Sequence, residues 1–268
     1  MTELEQLLQL MVRLRDPESG CPWDRQQTYA TIVPHTIEEA YEVADAIARE
    51  DWPELQAELG DLLFQVVFYA QLADEEGRFN FAAVAGGIVE KMTRRHPHVF
   101  GNETYADAAA QTAAWDRIKT AEKEEKGKAP TGALDGIALA LPALIRAVKL
   151  QKKAAQVGFD WGTVAPVLAK IEEEIAEICH EINTQAPQER LADELGDILF
   201  AVANLARHLK LDPEAALRGT NAKFERRFQR IEHWLAESGR TPEHSTLEEM
   251  DALWERAKDE ERSRLQDR

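Results

Sequence analysis

The chain has 268 residues, 44% of them hydrophobic and 30% charged, which is enough apolar material for a core and excludes a disordered polar chain. Its net charge of −17 disfavours nucleic acid polymers as partners, because such a surface repels polyanions at long range. Two cysteines, Cys21 and Cys179, make no spaced framework, and no apolar run approaches the ~20 residues needed to span a bilayer. A soluble, cytoplasmic protein that does not engage membranes is expected.

In chain order, residues 1–15 (MTELEQLLQLMVRLR) are amphipathic and acidic, unlike a signal peptide. Residues 36–50 have helical period, with Ile37, Ala40, Tyr41, Ala44, Ile47 and Ala48 on one face and Glu38, Glu39, Glu42 and Asp45 on the other. Alone, that is a helix with a solvated acidic face. The next helix carries Glu58 and Asp61 and then apolar residues in nearly every direction, as expected of a buried helix. Little of the chain has β character. Residues 122–136 (EKEEKGKAPTGALDG) are charged, then rich in Gly and Pro, and read as a linker between a domain at 1–121 and another at 137–268. The expected architecture is all-α, with two tandem homologous helical-bundle domains.

The homology rests on an internal repeat. ELGDLLF at 58–64 returns as ELGDILF at 194–200, and IEEAYE at 37–42 pairs with EEEIAE at 172–177. KMTRR at 91–95 then pairs with KFERR at 223–227, and WDRIK at 115–119 with WERAK at 254–258. A looser echo pairs Asp24 with Asp160.

Each copy reads E-E-x-x-E, a connection, then E-x-x-D. Glu39 with Glu42 and Glu58 with Asp61 are i,i+3 pairs whose oxygens can converge from neighbouring helices, as can Glu174 with Glu177 and Glu194 with Asp197. Acids on an otherwise buried helix need partners. A cation is the natural one, and salt bridges are the alternative. With no His or Cys in the pattern, the set suits Mg²⁺, or Mn²⁺ as a substitute, better than zinc. Glu38 and Glu173 are placed to accept a proton from an attacking water. Gly60 and Gly196 sit inside these helices, either for close packing or for approach of a ligand.

Opposite charge is supplied by Lys91, Arg94 and Arg95, and by Lys223, Arg226 and Arg227. Lys119 and Lys258 follow a Trp by four residues; Trp115 and Trp254 are core residues or stacking surfaces for a base. Metals, phosphate-binding cations and an aromatic platform suggest a nucleoside polyphosphate, hydrolysed with metal assistance. There is no GxxxxGK[ST] loop.

These blocks, with GCPWD, RRHPHVF, VGFDW and NLARHL, resemble the MazG nucleoside triphosphate pyrophosphohydrolases over nearly the whole chain. The resemblance implies Mg²⁺-dependent conversion of NTPs, ATP included, and dNTPs to the monophosphate and pyrophosphate, and a homodimer whose bundles build the sites. It makes Glu174, Glu177, Glu194 and Asp197 metal ligands, with Glu39, Glu42, Glu58 and Asp61 their counterparts. Lys223, Arg226 and Arg227 would hold phosphates, and Trp254 and Lys258 would close the nucleotide site, where Lys170 is also placed. Asn204 and Asn221 align with Phe68 and Val89, so the second half has the better-furnished pocket and is expected to be the main catalytic centre. A Nudix hydrolase fails on motif spacing, and a di-iron bundle fails because Glu177-x-x-His180 has Glu42-x-x-Asp45 as its counterpart. A non-catalytic nucleotide binder stays open for the first half.

Overall fold

The computed structural model describes residues 1–107, 110–111, 114–115, 117–118, 122 and 132–266, with side chains described to 263. They hold helices and no strand, and the chain divides into two compact units, Met1–Ala129 and Pro130–Arg268.

Unit 1 opens with α1 (Glu3–Leu14), started by a capping box in which Thr2 and Glu5 satisfy each other's backbone N–H groups. A short α2 (Pro22–Gln26) leads into α3 (Tyr29–Ala48), which folds back on α4 (Trp52–Glu75). α5 (Phe81–Arg95) and α6 (Pro97–Phe100) follow. The core brings Met11 of α1 and Ile32 of α3 onto Val67, Phe68 and Leu72 of α4. Arg15, just past α1, fixes that helix to the far end of α4 through a two-pronged bond to Glu75, at 2.8 and 2.7 Å.

Unit 2 repeats the plan. α7 (Ala143–Gln156) packs on α9 (Gln188–His208), α8 (Val164–Asn183) pairs with α9, and α10 (Pro213–Glu237) packs on α11 (Leu247–Gln266) after a 3₁₀ turn at Pro242–His244. Val167, Ala203, Ile231, Trp234 and Leu235 are buried. The two helical hairpins turn in the same way. Glu50 and Gln185 both adopt left-handed backbone, at φ 56° and 55°, a conformation that costs a residue with a Cβ about 1–2 kcal/mol. Each buys a tight reversal, in which the next amide reaches back to Ala46 O or Glu181 O.

Two expectations about these helices are corrected. On α3 the face turned towards α4 is mixed, carrying Glu39 inward while Glu38, Glu42 and Asp45 stay exposed. The inward stripe is Ile32, Thr36, Glu39, Val43 and Ala46, while Ile37, Tyr41 and Ile47 are exposed. Nor is α4 buried all round, since Leu59, Leu63 and Val66 are exposed, as are their counterparts Leu195, Leu199 and Val202 on α9. Nothing among the described residues covers these faces, so periodicity assigned them to an interior that the unit does not contain. The close-packing account of Gly60 and Gly196 also fails, because a Cβ at either position would meet open space within the chain.

Candidate active site

Turning Glu39 inward on α3, and Glu174 on α8, brings carboxylates of two helices together in each unit. Oxygens of Glu39, Glu58 and Asp61 lie within 4.8 Å of one another, and so do oxygens of Glu174, Glu194 and Asp197. Glu42 and Glu177 fall outside these groups of three but remain electrostatically coupled to them. The two copies therefore build the same arrangement twice.

Their charge balance differs. In unit 2, Glu174 and Glu194 are only 4% and 6% exposed. The Lys170 ammonium lies 2.8 Å from both Glu173 and Glu174, and Arg190 lies 3.0 Å from Glu194 and 2.8 Å from Glu181. The alignment puts His35 where unit 2 has Lys170, and Glu54 where it has Arg190. No cation in unit 1 takes their place among the described residues; His35 lies 3.6 Å from Glu38. Burial, then repulsion from Glu42 and Glu54, pushes the Glu58 carboxyl up to about 7. Burial, then Asp61 and Glu42, also raises Glu39, against a hydrogen bond from Gln65 Nε2 at 3.4 Å. In unit 2, burial and then Glu174 raise Glu177.

The donor chemistry fits a hard dication. All ligands are carboxylates, and Glu174 Oε2 is buried with no hydrogen-bond partner, an arrangement that costs free energy until a cation or donor meets it.

The expected phosphate-binding cations separate into two situations. In unit 1, Arg94 and Arg95 both grip the buried carboxylate of Glu122, at 2.7 and 2.6 Å. The two guanidiniums, Arg95 foremost, hold that carboxyl at about 2. Glu122, expected to begin a linker, is thus part of unit 1. In unit 2, Glu261 plays the matching part for Arg227 alone, at 2.7 Å. Lys223 and Arg226 have no ion-pair partner among the described residues. Lys258 lies 2.6 Å from Glu255, and Lys91 is half-buried. Lys119 lies outside the described residues.

Trp254 is not a bare platform: Phe224 packs on it and the Arg227 guanidinium lies 5.3 Å from its ring centre. Trp115 takes the core alternative, donating its indole N–H to Arg95 O at 2.7 Å and packing edge-on with His96. Asn221 is exposed and Asn204 is buried. Within unit 2, α10 packs chiefly on α11 and α7, and no ion pair joins Lys223, Arg226 or Arg227 to the carboxylate group.

Sequence reasoning missed Glu122, Glu261 and Arg190. The first two were legible, because each stands seven residues after its repeat's Trp.

Comparison with known proteins follows the same outline. The family described as the MazG nucleotide pyrophosphohydrolase domain matches residues 27–100 and again 163–231. A nucleoside triphosphate pyrophosphohydrolase of Escherichia coli (strain K12) is 51% identical over 97% of this chain and 99% of its own. A nucleoside triphosphate pyrophosphohydrolase/pyrophosphatase MazG of Thermotoga maritima is 42% identical over 95% of both chains. A nucleoside triphosphate pyrophosphohydrolase of Mycolicibacterium smegmatis is 35% identical over 56% of this chain and 45% of its own.

Proposed function

Since the chain belongs to the MazG nucleotide pyrophosphohydrolase family, we propose that it is a nucleoside triphosphate pyrophosphohydrolase. It takes NTPs and dNTPs to the monophosphate and pyrophosphate, uses Mg²⁺, and has its main catalytic site in unit 2. The observation that carries this reading is the convergence of Glu174, Glu194 and Asp197 around the unpartnered, buried Glu174 Oε2.

Glu174, Glu194 and Asp197, with Glu177 beside them, would hold the metal. Mg²⁺ bound there supplies Lewis-acid polarisation of a phosphoryl oxygen and a water of lowered pKa. Glu173, adjoining the group and largely solvent-exposed, takes the proton from the water that attacks near the α-phosphorus. The bond from the α-phosphorus to the bridging oxygen breaks, and pyrophosphate leaves. Lys223 and Arg226, with no carboxylate partner among the described residues, are left to hold the phosphates. In unit 1 the counterpart of Arg226, Arg94, is held by Glu122, and Phe68 fills the core where unit 2 carries Asn204. Those two differences favour metal binding without turnover in unit 1.

A homodimer is part of the proposal. Leu59, Leu63 and Val66, and again Leu195, Leu199 and Val202, expose the same apolar face in each copy, and a second chain is the simplest cover for them.

The test is pyrophosphate release from a panel of NTPs and dNTPs with Mg²⁺. Release should survive Glu58→Ala/Asp61→Ala and vanish in Glu194→Ala/Asp197→Ala. No pyrophosphate from wild type with any nucleotide would sink the hydrolase reading; the converse pattern would move the chemistry to unit 1.

A further inference from the structure

Unit 2 contains a polar chain, running from a buried asparagine out to the surface, that the proposed chemistry does not use. Asn204, on α9, is 8% exposed, and its Oδ1 accepts from Arg207 Nε at 2.9 Å. Arg207 is itself held by Asp160, on the segment before α8: Nη1 donates to Oδ2 at 3.0 Å and Nη2 to Oδ1. His208 Nε2 lies 3.2 Å from the same Oδ1. In unit 1 the places of Asn204, Arg207 and His208 are taken by Phe68, Gln71 and Leu72, and of the set only the counterpart Asp24 remains. Burying the asparagine end of such a network costs desolvation that an apolar residue avoids.

The network fixes which way the amide points. An arginine can only donate, so Oδ1 must face Arg207 and Nδ2 must face the other way. That nitrogen meets no acceptor among the described residues, yet it is not sealed from solvent. Asn204 stands seven residues beyond Asp197, which is two turns along the same stripe and about 10 Å down the helix. A nucleotide whose α-phosphate is held at the carboxylates extends its sugar and then its base over such a distance.

We propose that Asn204 donates from Nδ2 to a carbonyl oxygen on the base, and that Arg207 and Asp160 are positioning residues that set the amide for it. This rests on the pyrophosphohydrolase reading of unit 2. Bases with a ring carbonyl (guanine, uracil, thymine and cytosine) gain the bond; adenine has no such group and does not.

The experiment measures kcat and KM for GTP, UTP, CTP and ATP, together with competitive inhibition by inorganic tripolyphosphate, which has phosphates but no base. Variants are Asn204→Asp, which keeps an acceptor for Arg207 and removes both donors, and Arg207→Lys, which keeps the charge beside Asp160 but cannot serve both partners. Asn204→Asp should raise KM for GTP, UTP and CTP about tenfold, the value of one hydrogen bond near the upper end of its range. ATP and tripolyphosphate should change less than about threefold on the same scale. Arg207→Lys should shift KM in the same selective way with kcat unchanged, and combining the two changes should add little. An equal loss for ATP, a parallel loss for tripolyphosphate, or unchanged KM in both variants overturns the proposal while leaving the hydrolase reading intact. No pyrophosphate from wild type overturns both.

Discussion

Replacing Lys170 with methionine removes a charge and keeps most of the side chain's length. The Lys170 ammonium lies 2.8 Å from Glu174 Oε1, beside oxygens of Glu194 and Asp197 that are all within 4.8 Å of one another. At an effective dielectric of about 20, two such charges repel by about 3.5 kcal/mol. Arg190 still screens Glu194, and Lys170 is itself a third exposed, so the loss is discounted from the 3–5 kcal/mol typical of breaking a buried pair to about 2 kcal/mol. In a domain of this size that lowers the melting temperature by roughly 6 °C. Mg²⁺ supplies the missing positive charge, so at saturating Mg²⁺ the gap between Lys170→Met and wild type should nearly close. Calorimetry of the full chain, with and without Mg²⁺, makes the comparison. An equal drop in both conditions would refute the idea that lysine and metal act on the same carboxylates.

Other expectations follow from the same contacts. Arg226→Met should raise KM for nucleotides by about tenfold, whereas Arg94→Met should leave steady-state kinetics unchanged, because Arg94 is engaged by Glu122. Glu122 has a folded pKa of about 2 against an ordinary 4.5, so its ion pairs stabilise unit 1 above about pH 4.5 and lose that effect as pH falls towards 2. Glu122→Gln should therefore be less stable than wild type at neutral pH, and denaturant titrations should show the two converging on acidification. Leu63→Glu/Leu199→Glu should yield monomers in light scattering; a dimer that persists would place its interface elsewhere.

Much of the arrangement was legible because it was written twice. The pairing of E-E-x-x-E with E-x-x-D located Glu39, Glu58 and Asp61, and their partners in unit 2, on adjoining helices before any coordinates. What periodicity misassigned was direction. It counts apolar side chains and sends the greasier face inward, so it placed Ile37 and Tyr41 in the core and Glu39 outside. A metal site inverts that rule, since its ligands must converge where the helices meet, and an oligomer leaves apolar faces for another chain. Lys170 was expected at the substrate, but its nearest partners are carboxylates, because a cation at i−4 on the same helix reaches Glu174 first. Arg94 and Arg95 looked like a phosphate clamp because composition cannot reveal that a distant Glu122 folds back onto them.

A lysine and an arginine together carry the same charge as one divalent ion. Lys170 and Arg190 therefore set two positive charges against Glu174 and Glu194 from within unit 2 itself. Unit 2 thus brings its carboxylates together against cations of its own. Unit 1 has no cation at the matching places among the described residues, and there burial and neighbouring acids raise Glu39 and Glu58 instead.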